Sequence, residues 1–272
     1  MSGALSKTTT RVTIVGAAGR MGKRVVALAG EDPAFQLSAA LEHGGHPLLG
    51  RDSGDVAGVG SNGIVMRDHT DSDFDVLIDF SLPAGTMHWL DFCLHKRRAF
   101  VTGVTGLADE HMTALEEAAV EIPVLQAPNM STGINLLLRL AHEAARVLGD
   151  YDVEIVEAHH RFKRDAPSGT AAALLQAVCD GRETQEAEVV FGRHGGQLDR
   201  PQSQIGMHSL RGGDNVGEHK VLFCGLGEMM TLRHRATSRD TFVRGALRAA
   251  AWIKEKPAGR YSMQDVLFGS RK

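Results

Sequence analysis

The 272 residues include only three cysteines, Cys93, Cys179 and Cys224, which lie far apart and share no metal-ligand spacing. That excludes a disulfide-stapled scaffold and a cysteine-based zinc module, and leaves free thiols of a reducing compartment. A basic excess is also lacking: the formal net charge is -3, so no global field holds nucleic acid or an anionic membrane. No apolar stretch is long enough to cross a bilayer, and NLLLRLA at 135–141 is already broken by Arg139. The opening residues MSGALSKTTTR hold no apolar core of a secretory leader, so a cytoplasmic location is expected. Internal repeats and low-complexity linkers are absent as well. What remains is an ordinary globular balance, 43% hydrophobic and 23% charged, in a chain longer than one core usually serves. The expectation is an enzyme or a ligand-binding protein of one large or two moderate domains.

The first half alternates short β-branched runs with helical stretches. Arg11–Val15, Gln36–Leu41, Phe74–Phe80, Ala99–Thr102 and Val124–Ala127 read as strands. Between them fall a glycine turn with a helix over Met21–Ala29, a helix opened by Pro83, and a helix over Asp109–Val120. Such alternation predicts right-handed crossovers and a doubly wound parallel sheet of the Rossmann type. Residues 43–70 are rich in Gly and Asp and resolve into no clear element. Beyond Ala127 the texture changes. Ser131 is placed to cap a helix over Ile134–Leu148 that Gly149 ends. Strands then follow near Asp152–Ala158, Ala187–Arg193, Gln204–Arg211, Glu218–Cys224 and Met229–Arg235, which predicts an α+β domain with a mixed or antiparallel sheet. A closing helix, Thr241–Lys254, carries apolar residues at helical spacing and is expected to pack back on the first domain. The expected domains are therefore 1–130 with 241–272, and 131–240.

The turn V-G-A-A-G-R-M-G sets Gly16, Gly19 and Gly22 between a strand and a helix. A pyrophosphate must approach such a backbone closely, and the helix start offers it unpaired N–H groups. Glu42 ends the second strand twenty residues beyond Gly22, where a carboxylate accepts hydrogen bonds from ribose hydroxyls. An ordinary βα turn is the plain alternative. His43 occupies the place where an arginine would attract the 2′-phosphate of NADP, and is a weaker, pH-dependent cation. NADH is therefore expected to serve at least as well as NADPH. Gly103-Val104-Thr105-Gly106 and Ala127-Pro128-Asn129-Met130 follow the fourth and fifth strands, where open α/β sheets place ligands, unless they are turns alone.

The densest chemistry lies in EAHHRFKRDAPSGTA, Glu157 to Ala171. His159, His160, Arg161, Lys163 and Arg164 precede a helix start at Ser168-Gly169-Thr170, with the helix continuing over Ala171–Cys179. Cations beside a helix N-terminus suit a carboxylate or phosphate, and histidines titrate where proton transfer requires. Asp165 is placed to orient Lys163 or Arg164. Adjacent histidines without a third ligand chelate zinc poorly, so no metal is expected. Nucleic acid is disfavoured by the overall acidity, and a solvated charged loop is the plain alternative.

These motifs resemble those of the dihydrodipicolinate reductase family, also called 4-hydroxy-tetrahydrodipicolinate reductases. The similarity extends through GAAGRMG at 16–22, LE at 41–42, D-F-S-x-P at 79–83, G-x-T-G at 103–106, N-M-S-x-G-x-N at 129–135 and S-R-x-x-F at 238–242. The resemblance implies reduction of a small cyclic dicarboxylate, dihydrodipicolinate or its hydrated form, by NADH or NADPH in the diaminopimelate route to lysine. It implies cofactor contacts at Gly16, Ala17, Ala18, Gly19, Arg20, Met21, Glu42, His43, Gly103, Val104, Thr105, Ala127, Pro128, Asn129 and Met130. His159 would be the proton donor and Lys163 a second donor that steadies charge. His160, Gly169 and Thr170 would hold the two carboxylates. A homotetramer built through the second domain's sheets and a hinge between domains are implied too. Two departures stand out: His43 where many members have Arg, and Val104 in place of a more usual Thr. Another Rossmann dehydrogenase acting on a C=O group, or a non-catalytic dinucleotide sensor, are the competing readings.

Overall fold

Strand β1 (Thr10–Val15) is buried at five of its six positions, as befits a strand covered on both faces. In the computed structural model, which describes residues 9–184, 187–196 and 199–269, β1 leads through the glycine turn into α1 (Arg20–Glu31) and on to β2 (Phe35–Leu41). Helix α2 (Ser53–Ala57) and the two-residue β3 (Met66–Arg67) follow, and the chain then returns to β4 (Val76–Asp79) beside β1. Helix α3 (Pro83–Lys96), β5 (Ala99–Thr102), α4 (Asp109–Ala118) and β6 (Pro123–Gln126) extend the sheet. A second run comprises α5 (Thr132–Val147), β7 (Asp152–His159), α6 (Gly169–Gly181), β8 (Glu188–Val190), β9 (Gln204–Arg211), β10 (Gly217–Cys224) and β11 (Met229–Ala236). The chain closes with α7 (Asp240–Ile253), β12 (Gly259–Tyr261) and α8 (Met263–Phe268).

Two compact units result, one of residues up to Ser131 together with those from Asp240 onward, the other Thr132–Arg239. In the first, seven described strands pair in the order β12-β6-β5-β4-β1-β2-β3, every pairing parallel. Alternation sorts the side chains by face. Val12, Ile14, Val76, Ile78 and Val101 share a core with α1, α7 and α8, through Val25, Val26, Val243, Ala246, Ala250 and Val266. Val15, Leu77, Phe100 and Val124 pack with Trp89 and Leu90 of α3 and Leu115 of α4. The order of connection reverses at β1, which lies between β2 and β4. Such a reversal opens a crevice at the carboxyl ends of those strands, and ligands of open α/β sheets bind there.

The second unit holds a five-stranded mixed sheet, β11-β10-β7-β9-β8. Strands β7, β9 and β8 run parallel, while β10 is antiparallel to both β7 and β11. Ile134, Leu137, Ala141 and Ala145 line one stripe of α5 and share a core with Ala171, Leu174 and Val178 of α6. Val153 and Ile155 of β7 belong to that core, and the period of two carries Glu157 and His159 onto the same buried face.

Several elements differ from the sequence expectation. The strand expected over Phe74–Phe80 is confined to Val76–Asp79, although Phe74 is fully buried beside it. The strand expected over Ala187–Arg193 is reduced to Glu188–Val190. Residues 43–70 contain α2 and β3, which are too short to show a period. α2 exists because Asp52 accepts hydrogen bonds from the N–H groups of Gly54 and Asp55. The last two elements, β12 and α8, went unpredicted. β12 depends on pairing with distant β6, whereas α8 had a readable signal in its capping pair, Ser262 and Asp265.

Candidate active site

The turn after β1 is shaped by two glycines. Gly16 sits at φ +73°, and a Cβ there would lie 2.7 Å from the Phe80 carbonyl oxygen. At Gly22 a Cβ would drive into the Gly16 carbonyl and lie 2.6 Å from Ala17 Cα, so the helix start can pack on the turn only without a side chain. Gly19 caps α1 without any side-chain hydrogen bond, and Arg20 and Met21 begin the helix beside it. Ala17 N–H donates to the Leu41 carbonyl at 3.0 Å. Glu42 accepts from Ala18 N–H at 3.0 Å and from His43 N–H at 3.2 Å, so its carboxylate fastens the turn to the end of β2. Each carboxylate oxygen retains a further acceptor site.

His43 is exposed, and its Nδ1 donates to the Gly44 carbonyl at 3.0 Å. With Glu42 and His46 it forms a group whose ligand atoms lie within 4.8 Å of one another. Both carboxylate oxygens and both imidazole Nδ1 atoms are already committed to local hydrogen bonds.

Farther along the sheet edge, Gly103 packs against the Phe80 ring, where a Cβ would come within 2.9 Å of Cδ1. Its N–H donates to the Asp79 carbonyl at 3.0 Å. Val104 N–H donates to Thr102 Oγ1 at 3.2 Å, and Thr105 is exposed just beyond. Ala127 N–H reaches the Thr102 carbonyl at 3.1 Å. Pro128 is exposed, Asn129 accepts from Ser131 N–H at 2.9 Å, and Met130 is buried. Behind these loops lies Asp79, a fully buried carboxylate. It accepts from Ser81 N–H and Oγ, Thr86 Oγ1 and Thr102 Oγ1 at 2.6–3.1 Å. Burial raises its pKa against the pull of those four bonds. Gly16 to Met21, Glu42 with His43, Gly103 to Thr105 and Ala127 to Met130 thus all follow carboxyl ends of strands in one sheet.

In the second unit, His159 ends β7 and is 9% exposed. The loop after it is held by His160 N–H to the Asn215 carbonyl at 2.8 Å and Arg161 N–H to the Gly213 carbonyl at 3.1 Å. Of the two cations that Asp165 was expected to orient, Lys163 pairs with it at 2.8 Å. Ser168 caps α6, its hydroxyl accepting from Ala171 N–H at 3.2 Å. Gly169 is exposed at the helix head and Thr170 is half-buried. Among the described residues, Gly169 N–H makes no hydrogen bond, and His160 Nδ1 is buried with no partner. The amide is a donor suited to an anion, and the imidazole nitrogen is one when it carries a hydrogen.

Three further side chains around His159 were not singled out in the sequence. Glu157 is 0% exposed and accepts from His159 Nδ1 at 2.5 Å, from Ser168 N–H at 3.2 Å, and from two Arg211 nitrogens at 2.9 and 2.7 Å. His219 lies edge-on to His159, with ring centroids 5.1 Å apart, and shares a 3.1 Å hydrogen bond with Ser168 Oγ. The i, i+2 spacing of Glu157 and His159 on a strand was visible in the sequence. Arg211 and His219 were not, because β-pairing sets Arg211 opposite His159 and His219 opposite Glu157.

Burial works against the Glu157 charge, but hydrogen bonds from Arg211, Ser209 and His159 hold its pKa down at about 2. His159 is lowered by burial, partly offset by Glu157. Burial, then the charge of His159, push His219 down to about 4 from 6.5. The unfolded chain therefore takes up a proton at residue 219 first as pH falls. Stability contributed by this ring is complete above pH 6.5 and is lost toward pH 4, whereas that of Glu157 is complete above 4.5 and lost toward 2. Tm should fall in two stages on acidification, and His219→Gln should flatten the upper stage. A Tm–pH curve that this substitution leaves unchanged between 6.5 and 4 rejects the assignment.

Residues 10–130 match the N-terminal part of dihydrodipicolinate reductase, and residues 133–267 match its C-terminal part. The chain belongs to the dihydrodipicolinate reductase family. A 4-hydroxy-tetrahydrodipicolinate reductase of Alkalilimnicola ehrlichii is 49% identical over 265 residues, covering 95% of this chain and 99% of the relative. One of Hahella chejuensis is 47% identical, covering 95% and 98%. Among solved structures, a dipicolinate-bound dihydrodipicolinate reductase from Paenisporosarcina sp. TG-14 superposes with a TM-score of 0.74 at 25% identity, covering 95% of this chain and 99% of that one. Within this family the parallel sheet with a second mixed sheet is the expected architecture. No helix among the described residues is long and apolar enough to cross a membrane.

Proposed function

We propose that this chain reduces 4-hydroxy-tetrahydrodipicolinate to tetrahydrodipicolinate with NADH or NADPH, in the diaminopimelate route to lysine. The observation that carries the reading is the gathering at the end of β7 of a buried imidazole, an ammonium and the head of α6. The dipicolinate held by the Paenisporosarcina relative supports a cyclic dicarboxylate as the ligand class.

The first unit fits a dinucleotide. Its turn has no Cβ where a pyrophosphate must approach, and the first turn of α1 is free of any side-chain cap. Gly16–Met21, Glu42, His43, Gly103–Thr105 and Ala127–Met130 would hold the cofactor, which supplies hydride when bound. In the second unit, His160 with the N–H groups of Gly169 and Thr170 would grip the substrate's carboxylates and fix its ring face. Lys163 and His159 would stabilise electron density displaced toward the ring nitrogen and then deliver a proton. The second unit's sheet also carries Val156, Ala158, Leu210 and Leu222, which alternate with the residues packed under α5 and α6. This face supports self-association, which we read as the homotetramer. All three cysteines are free thiols, which suits a cytoplasmic enzyme.

The experiment is to follow NADH and NADPH oxidation with freshly made 4-hydroxy-tetrahydrodipicolinate. Both cofactors should be consumed, with kcat/KM for NADH at least equal to that for NADPH because His43 is a weak cation. A preference of about 100-fold for NADPH overturns the reading of His43. Cofactor binding without oxidation overturns the reductase reading.

A further inference from the structure

We propose that Glu157 is a positioning residue that holds His159 as the Nδ1–H imidazole and ties it to the head of α6, so that proton donor and carboxylate cradle keep one fixed geometry. The proposal rests on His159 being the proton donor. A carboxylate with no exposed surface is expensive to bury unless its charge is paired and its oxygens are bonded. Arg211 alone meets the charge requirement, with two nitrogens at 2.9 and 2.7 Å. Besides the Ser209 hydroxyl, two further donors reach it, His159 Nδ1 at 2.5 Å and Ser168 N–H at 3.2 Å. These two partners join the structural ion pair to the site.

An ionised carboxylate can only accept, so a neutral His159 must carry its hydrogen on Nδ1. The second nitrogen, Nε2, makes no hydrogen bond among the described residues and becomes the atom that takes up and delivers a proton. Ser168 is the N-cap of α6, and Gly169 and Thr170 follow it directly. One carboxylate therefore sets both the angle of the imidazole and the origin of the helix whose N–H groups would grip substrate. The charged and titratable groups facing His159 come from each neighbouring element: Glu157 on β7, Lys163 in the following loop, Arg211 on β9 and His219 on β10. Lys163 and Arg211 oppose an imidazolium and Glu157 favours it, so loss of the Glu157 charge makes His159 harder to protonate.

Glu157→Gln keeps the volume and removes the charge. It should lower kcat by about 10–10³-fold, leave KM for NADH within about twofold, and move the alkaline limb of kcat/KM to lower pH by about one unit. Glu157→Asp restores the charge and should return the limb toward its original position. A purely structural role would reduce the amount of active protein without shifting that limb. Independently, ¹⁵N spectra of the imidazole in the full-length wild-type protein should show neutral His159 protonated at Nδ1. A normal kcat with an unmoved limb in Glu157→Gln, or an Nε2–H tautomer in the wild type, overturns the proposal. If Glu157→Gln does not fold, the tautomer decides. If the wild type reduces no substrate, the functional reading fails while the tautomer still tests the positioning.

Discussion

Lys163→Ala should lower kcat by about 10²–10⁴-fold while the affinity for NADH stays nearly constant, and His159→Ala should do the same. Both side chains belong to the second unit, whereas the residues suited to the dinucleotide belong to the first, which is why cofactor affinity should be spared. Lys163 lies in a loop and, among the described residues, pairs with exposed Asp165 alone. Lys163 is not one of the buried core residues, so its truncation should act on turnover more than on folding. Surface ion pairs of that kind contribute little to stability, on the order of 0–1 kcal/mol. His159 is more deeply set, and its loss frees a buried Glu157 oxygen that Arg211 still neutralises. Steady-state kinetics, with NADH affinity read from cofactor fluorescence, checks both. Near-wild-type kcat in each single mutant would remove these residues from the chemistry.

Gly22→Ala should strongly damage the first unit. The added carbon has no room against the Gly16 carbonyl and Ala17 Cα, and these are backbone atoms that cannot rotate away. Overpacking of this kind costs about 1–3 kcal/mol, which corresponds to a fall in Tm of roughly 2–12 °C for a unit of this size. Relief requires α1 to move off the turn, and that spoils the close approach on which a pyrophosphate depends. NADH affinity should therefore fall by at least about tenfold, with substrate-analogue binding to the second unit retained. A thermal melt and a cofactor titration measure the two effects. An unchanged Tm would show that the helix start does not rest on the turn.

Most of the first unit was legible because its signals are local. Strands covered on both faces are continuous apolar runs, the helices between them have their own period, and the glycine turn is marked by three glycines within seven residues. The expected packing of the closing helix on the first sheet agrees with Val243, Ala246 and Ala250 of α7 sharing a core with Val12 and Ile14. The short elements β3 and β12 were hidden because two or three residues display no period, and each becomes a strand only through a distant partner.

The candidate site divides along the same line. Residue chemistry and near-neighbour spacing were enough to single out the glycine turn with Glu42, the cationic run from His159 to Arg164, and the helix start at Ser168. Those features arise within a few residues of backbone, where steric and electrostatic rules act without help from the fold. Which groups beyond Glu157 and Lys163 face His159 was decided by the tertiary structure alone. Arg211 meets Glu157 across 54 residues and His219 meets Ser168 across 51, because strand register brings them together. Register is set by the burial of whole strand faces, a collective property of the sheet that no local stretch of chain contains.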